Sequence, residues 1–440
     1  MKQLYLHDNR PWIIGFSGGK DSTCVTQMVY NMLKGLSAKE RAKEVHILSS
    51  DTLVESPVIE TRIKKIHKKI EKQAKKDKLP IKTQILRPDL NDSFWVNLIG
   101  RGYPSPNRWF RWCTDRLKIN PMNQYTLEQV KENGEVIIVL GARKKESASR
   151  AQTMKKYEIK DFKLRKHAIP SAFVYAPIED WDHKDVWIYL LQVHSPWGDN
   201  NRDLVTLYRK ADEECPLVID KSTPACGGSR FGCWVCTVVE RDRAIEGLIE
   251  DGETWLQPLL DFRNWLKEIR NDPHKRDQIR KGDKRKKMIA DFFGREFEGS
   301  IHRNHKILGP FTFETRHEIF KKLVNLQKKF NNKNLTLISP EEIKAIETLW
   351  IYEGDNITSI GNILTSESER SIRTNNQLEQ KYLNDICEKY DIPVDLIGRL
   401  LLVEKDFSTL SRRVGIYNRL EKVIEEHLIP QIGKKNNSKK

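Results

Sequence analysis

Apolar positions in the N-terminal part of the chain switch between two spacings. Trp12-Ile13-Ile14-Gly15-Phe16 is an apolar run short enough for a buried strand, and Cys24 to Tyr30 then sets its apolar residues at helical intervals. Val45 to Ser50, Ile81 to Leu86 and Val136 to Leu140 repeat the strand signal, with a helical pattern from Val58 to Lys76 between the first two. The basic stretch Arg62 to Lys82 reads as the solvated face of that helix, with Ile63, Ile66 and Ile70 beneath it. Strands separated by helices of this length call for right-handed crossovers and a mostly parallel sheet covered on both faces, an α/β doubly wound domain. Such sheets bind ligands beyond the carboxyl ends of their strands, so loops starting at Ser17, Asp51 and Gly141 are expected to share one crevice.

The pattern changes beyond residue 200. Helical stretches fit Val238 to Ile249 and Thr254 to Ile269, and a basic segment follows. After Gly309-Pro310 the chain reads as helical throughout. Ser339-Pro340-Glu341-Glu342 combines an N-cap serine, a first-turn proline and a capping-box glutamate, and opens a helix through Trp350. Further helices fit Gln377 to Tyr390 and Val394 to Val403, and the polar residues Lys434 to Lys440 are expected to fray. The expected division is residues 1–200, an α/β domain, then 201–300, a cysteine segment with basic helices, then 301–440, an all-α region.

The chemistry begins at Ser17-Gly18-Gly19-Lys20-Asp21-Ser22-Thr23, set between the first strand and its helix. Glycines let backbone amides approach a phosphate, and the first helical turn points its N–H groups the same way. Lys20 adds a charge, and Ser17, Ser22 and Thr23 add hydroxyl donors. This is not a Walker A loop, because Ile14 stands where that motif needs its first glycine. Asp51 ends the second strand on the same side, placed to bond a nucleotide or help hold Mg²⁺, or simply to cap a helix. Gly141-Ala142-Arg143-Lys144-Lys145-Glu146-Ser147-Ala148-Ser149-Arg150 follows the fourth strand, and its basic residues suit a triphosphate or phosphodiester.

Charge bears on the partner. Lys and Arg number 77 against 61 acidic residues, a net charge of +16, which favours polyanions and nucleic acid first among them. The excess is densest from Arg270 to Lys287, with nine basic residues against three aspartates. A hydrophobic fraction of 38% suits a folded globular chain. No apolar run is long enough to span a membrane, and Met1 to Asp8 lacks a signal-peptide core, so the expectation is a cytoplasmic protein without membrane partners.

Four of the seven cysteines, Cys215, Cys226, Cys233 and Cys236, fall within 22 residues, bent by Gly227, Gly228 and Gly232. Four thiolates so spaced can wrap one metal centre, a 4Fe–4S cluster or zinc, with buried free cysteines as the remaining reading. Glycines beside the sulfurs admit N–H bonds to cluster sulfides, which favours iron–sulfur. Cys113 stands among arginines in Arg108-Trp109-Phe110-Arg111-Trp112-Cys113-Thr114-Asp115-Arg116. Those charges would favour its thiolate and a role as persulfide carrier, against a small hydrophobe between tryptophans or a cluster ligand. Cys24 is a second sulfur-relay candidate or a core residue, and Cys387 is read as core.

These motifs also carry a family resemblance. Ser-Gly-Gly-Lys-Asp-Ser resembles the pyrophosphate loop of the ATP pyrophosphatases (the PP-loop superfamily, with its adenine nucleotide alpha-hydrolase-like domain). Gly141-x-Arg143-x-x-Glu146-Ser147-x-x-Arg150 and Pro177-Ile178-Glu179-Asp180-Trp181 resemble loops of the phosphoadenylyl-sulfate (PAPS) reductases. The resemblance implies an ATP site of Ser17, Gly18, Gly19, Lys20, Asp21, Ser22, Thr23, Asp51, Arg143, Ser147 and Arg150. Gly102 to Pro106, Arg108 to Thr114 and Cys226-Gly227-Gly228-Ser229-Arg230-Phe231-Gly232-Cys233-Trp234-Val235-Cys236 look most like the DNA phosphorothioation sulfurtransferases of the DndC type. That likeness implies adenylation of a DNA phosphate, with Lys20, Asp51 and Cys113 as catalytic residues. It also implies a cysteine desulfurase as sulfur donor and other phosphorothioation proteins as partners. RNA thiolation and sulfonucleotide reduction are the alternatives. The absence of a cysteine after Cys387 speaks against the second, whose enzymes end in a cysteine-bearing tail.

Overall fold

A computed structural model describes residues 1–159, 163–212, 232–279, 301–302, 305–306, 308–330, 335–352, 383–408 and 415–435. Its centre is a six-stranded sheet of β1 (Trp12–Gly15), β2 (Val45–Ser50), β3 (Ile81–Leu86), β4 (Val136–Val139), β5 (Leu164–Lys166) and β6 (Ala172–Tyr175), ordered β3-β2-β1-β4-β6-β5. The first four strands are those the apolar runs predict. All pairings are parallel except β5 with β6. Sequence reading misses β5 and β6, because Leu164-Arg165-Lys166 is too short and polar to show a strand period and Ala172 to Tyr175 follows it closely.

Alternation in the strands sorts the side chains into two buried layers. Trp12, Ile14, Val45, Ile47, Ile137 and Val139 face one way. There they meet α2 (Lys20–Lys34) and α3 (Pro57–Lys76), which contribute Val25, Val29, Leu33, Ile66 and Ile70. Ile13, Leu48, Val136 and Ile138 face the other way, against Met122, Tyr125 and Val130 of the helix Asn120–Asn133. The sheet is therefore covered on both faces, the doubly wound arrangement. Ile63, Ile66 and Ile70 are buried beneath the basic face of α3, as their spacing requires.

A second core lies off the sheet. Phe94, Trp95 and the buried π-helical turn Val96–Gly100 pack with Trp234, the helix Gln257–Ile269 and the helices Phe313–Phe330 and Pro340–Tyr352. Two of its tryptophans, Trp95 and Trp350, are fully buried with satisfied indoles. Trp95 Nε1 donates to the Leu337 carbonyl at 2.6 Å, and Trp350 Nε1 to that of Ile99 at 3.0 Å. Segments more than two hundred residues apart are thus joined in one apolar unit. The predicted capping box is present: Ser339 Oγ accepts from the Glu342 amide at 3.2 Å, and the Ser339 amide donates to Glu342 Oε2 at 3.0 Å.

The helix expected from Val238 starts later, at Arg243. Arg263, fully buried, explains the delay: its guanidinium donates to the carbonyls of Cys236 (2.8 Å), Glu240 (3.1 Å) and Val239. Carbonyls held by that side chain are withdrawn from any helical ladder. Residues 377–382 of the helix expected from Gln377, and the final residues from 436, lie outside the described residues. Among the described residues no helix is long and apolar enough to cross a membrane.

Candidate functional site

Strand order reverses at β1, whose neighbours β2 and β4 lead away on opposite sides, so the crevice opens between the carboxyl ends of β1 and β4. The loop from Ser17 to Gly19 leaves β1 there and enters α2. Gly18 has φ +72°, a left-handed conformation that side chains other than glycine resist, and it turns the chain towards the helix. Ser22 Oγ braces the loop from inside, accepting from the Ser17 amide at 3.2 Å, donating to the Gly19 carbonyl at 3.1 Å and meeting Ser17 Oγ at 3.1 Å. The first-turn amides of α2 therefore point into the crevice around a fixed loop, the local requirement for an anion.

The β4 loop closes the other side. A Cβ on Gly141 would come within 2.7 Å of the Asp21 backbone, so only glycine lets the two loops touch. Arg143, almost fully buried, donates through Nε to Asp21 Oδ1 at 2.6 Å, and Lys20 Nζ lies 3.1 Å from Asp21 Oδ2. Asp21 thus holds two cations at the helix N-terminus, a pre-set pair suited to phosphate oxygens. Thr23 Oγ1 is buried with no protein partner among the described residues. An oxygen-rich ligand at the loop would satisfy it, so the residues present fit the phosphates of a nucleotide. Ser147 caps the helix Ala148–Lys156 by accepting from the Arg150 amide at 3.2 Å, and the Arg150 guanidinium pairs with Glu146. Both are exposed on the rim.

Asp51 is buried at the end of β2, with both oxygens occupied. Oδ1 accepts from the Leu53 amide at 3.0 Å and Oδ2 from Arg87 Nε at 3.1 Å. The first bond holds Leu53 at φ +64°, costly for a leucine, so the carboxylate sustains a strained turn. Arg87, whose side chain is exposed, could swing away to admit a metal or nucleotide contact at Asp51.

The same β2 loop reaches the cysteine segment. Thr52 Oγ1 lies 3.2 Å from Cys233 Sγ and 3.2 Å from Glu55 Oε1. Backbone bonds from Trp234 to Val54 (3.0 Å) and from Ser56 to Gly232 (3.1 Å) zip the two strands antiparallel. Glu55 pairs with Lys118 at 3.0 Å. Burial works against the Lys118 charge, but Cys233 and Glu55 outweigh it and hold the ammonium above its ordinary pKa.

Cys113 and Cys233 each feel the charge of Cys236 and of Lys118, so these thiols share one electrostatic neighbourhood. The Cys113 thiol is pushed up, not down: burial dominates, and Cys236 adds to it. The thiolate expected from neighbouring arginines is thereby corrected. Arg116 spends its charge on Asp92 and the Tyr103 ring, and Cys113 packs against the second core. Cys24 is buried in the sheet core, its thiol raised to about 12 by burial and by Asp21, and Cys387 is buried as expected. Cys215 and Cys226 lie outside the described residues. Among the described residues no three His, Cys, Asp or Glu side chains are arranged to hold a metal ion, although the thiol donors Cys233 and Cys236 suit an iron–sulfur centre in kind.

Several site residues carry no signal in the sequence. Tyr208 Oη accepts from the Lys20 amide at 3.2 Å, and the Lys20 ammonium lies 5.2 Å from the Tyr208 ring. His183 is held below its ordinary pKa by burial, with the charges of Lys20 and Arg143 adding to it. Thr52, Glu55, Lys118 and Arg87 belong to no motif either. The basic segment needs a correction where it is described: Arg276 and Arg270 are consumed on backbone carbonyls, Arg270 at 2.6 Å from that of Thr237. Lys281 to Lys287 lie outside the described residues.

A doubly wound α/β sheet with a serine-glycine loop at its switch point is the arrangement of the PP-loop superfamily. Residues 11–239, just over half of the chain, match the phosphoadenosine phosphosulfate reductase domain, and the chain belongs to that family. An uncharacterized protein of Methanocaldococcus jannaschii is 27% identical over 240 residues, 54% of this chain and 39% of that protein. The chain thus matches about two fifths of that relative's length. Among solved structures, the PAPS reductase of Candida auris in a phosphate complex is similar at 14% identity and a TM-score of 0.28, over 46% of this chain and 83% of that one. The U34-tRNA thiolase NcsA of Methanococcus maripaludis with its 4Fe-4S cluster is similar at 12% identity and a TM-score of 0.28, over 68% of this chain and 88% of that one.

Proposed function

We propose that the protein is an ATP-dependent sulfurtransferase of DNA phosphorothioation. One observation carries the reading: a single loop after β2 sets Asp51 at the carboxyl end of the sheet and, one residue on, Thr52 against Cys233. Nucleotide and thiol chemistry are coupled through that short span. The resemblance of the cysteine segment and the charge of +16 support DNA as the acceptor.

In the proposed reaction the α2 N-terminus, Lys20 and Arg143 hold the β- and γ-phosphates of MgATP. A non-bridging oxygen of a DNA phosphate attacks the α-phosphorus and pyrophosphate leaves, its charge received by those cations. The DNA phosphorus then carries AMP as a good leaving group. The outer sulfur of a Cys113 persulfide, loaded by a cysteine desulfurase, attacks that phosphorus and AMP departs. Two equivalents of a thiol reductant then cleave the S–S bond and leave as a disulfide, so that sulfur stays on the DNA phosphorus and a thiol on Cys113. Cys233 and Cys236, with Cys215 and Cys226, would hold a 4Fe–4S cluster, which when bound supplies an iron centre with affinity for sulfur. Zinc in the same four thiolates is the variant that metal analysis separates. Other phosphorothioation proteins would present the DNA in the cytoplasm.

The test is mass spectrometry of nuclease-digested DNA from the native host with and without this gene. Sulfur-bearing dinucleotides present only with the gene are the expected result. Their absence from both strains under expressing conditions overturns the reading, and RNA thiolation or sulfonucleotide reduction takes its place.

A further inference from the structure

The turn Arg108-Trp109-Phe110-Arg111 presents a surface that core packing does not explain. Trp109 is 73% exposed and Phe110 44%, with an arginine on either side. So much aromatic surface is unfavourable in water until something covers it. The exposure does not come from a slack loop. Asn107 Oδ1 accepts from the amides of both Trp109 (2.8 Å) and Phe110 (2.9 Å), and backbone bonds of 3.2 Å run both ways between Asn107 and Phe110. Behind the turn, the Pro106 carbonyl accepts from Thr237 Oγ1 at 2.6 Å and from Arg270 at 3.1 Å. The chain has built a stiff turn that holds two rings outward.

Those rings border an open cleft of about 750 Å³ whose wall also includes Tyr103, Arg111, Trp112 and Thr114. The Arg108 guanidinium lies 5.9 Å from the Trp109 ring centroid. Among the described residues neither Arg108 nor Arg111 forms an ion pair; Arg111 lines the cleft, and Arg108 stands beside it on the Trp109 ring. An apolar protein partner would leave these guanidinium groups unanswered. A polynucleotide answers both features, with a π-face for each ring and a phosphate for each charge. The base must be unpaired, because in a duplex its face is already stacked. Trp112 and Thr114 flank Cys113, so the cleft adjoins the thiol group in the chain.

We infer that Trp109 and Phe110 form a stacking platform for an unpaired base of single-stranded DNA, with Arg108 and Arg111 taking the flanking phosphates. The choice of DNA rests on the function proposed above, whereas the platform geometry is independent of the sulfur chemistry.

Equilibrium binding of fluorescein-labelled single-stranded DNA to the full chain, read by anisotropy without ATP, tests the platform. Trp109→Ala should weaken binding about tenfold and Trp109→Phe should restore most of it. Arg111→Gln should weaken binding and lower the slope of log K against log salt by about 0.7. Unchanged thermal melting of each variant establishes that it folds. An oligonucleotide carrying 5-iododeoxyuridine should photocrosslink to Trp109 or Phe110. The platform is overturned if wild type prefers duplex, fails to bind the single strand, prefers RNA, or binds as tightly as Trp109→Ala. None of these readings depends on sulfur-bearing dinucleotides, so loss of the platform and loss of phosphorothioation are separate results.

Discussion

The anion loop and the thiol site are built on opposite principles. The first is mostly local: Ser17 to Thr23 carries its own turn, its own bracing hydroxyl and its own helix N-terminus, and draws Gly141, Arg143 and Tyr208 from outside. The thiol site is assembled across the chain, with Thr52 meeting Cys233 over a separation of 181 residues and Arg263 gripping the turn after Cys236. A short motif can specify a phosphate cradle because backbone amides make the contacts. Thiols have to be delivered to one point by packing. On the proposed function, the sheet core answers for nucleotide binding and the helical core for sulfur geometry.

The comparison breaks most visibly at the helical core. Trp350→Ala should cost about 3–5 kcal/mol there, from lost burial and the cavity left behind. Calorimetry should show the unfolding of that core moved down while nucleotide binding by the sheet domain survives. A loss of ATP binding equal to the loss of stability would mean that the two cores are one cooperative unit. Lys20→Ala attacks the other pole. It should lower ATP-dependent pyrophosphate release about 10²–10³-fold with metal content unchanged. A fall in bound iron would show that the phosphate loop also shapes the thiol site.

A pH experiment sharpens the view of the sheet core. Burial holds His67 at a pKa of about 4, against an ordinary value of 6.5, where its Nε2 meets Ser49 Oγ at 2.7 Å. Between those values the unfolded chain takes a proton that the folded chain refuses, so stability should fall as pH drops from 6.5 towards 4. His67→Gln should flatten that slope, by on the order of 3 kcal/mol over the full interval. An unaltered slope in denaturant titrations would assign the acid sensitivity to other groups. The smallest effect is expected at the junction of the two poles. Thr52→Val removes the hydroxyl that meets both Glu55 Oε1 and Cys233 Sγ and should cost about 1–2 kcal/mol. If the coupling through the β2 loop matters for sulfur transfer, phosphorothioate yield should fall more than that stability change explains. Equal losses would reduce Thr52 to a packing residue.

Four of the sheet's strands, α3 with its buried isoleucines and the capping box at Ser339 were legible because each is encoded by neighbours in the chain. The same holds for the loops facing the crevice, since a parallel sheet puts every carboxyl end on one side. The environment of Cys113 was not legible. Arginines adjacent in sequence suggested a depressed thiol pKa, but Arg116 turns to Asp92 and burial raises the thiol instead. Arg270 and Arg276 likewise read as surface charge and prove to be internal donors to carbonyls.

The sequence alone determined what depends on contact order: the strand–loop–helix of the anion site, the doubly wound class, and the presence of clustered thiols. Only the tertiary structure decided which side chains complete those sites. Tyr208, Lys118, Glu55 and Arg263 come from elements whose own periodicity records a buried face and nothing of what lies opposite it. A side chain's charge and its pKa follow from the three-dimensional neighbours that exclude water or supply a partner. Those neighbours are set by packing, which no local pattern encodes.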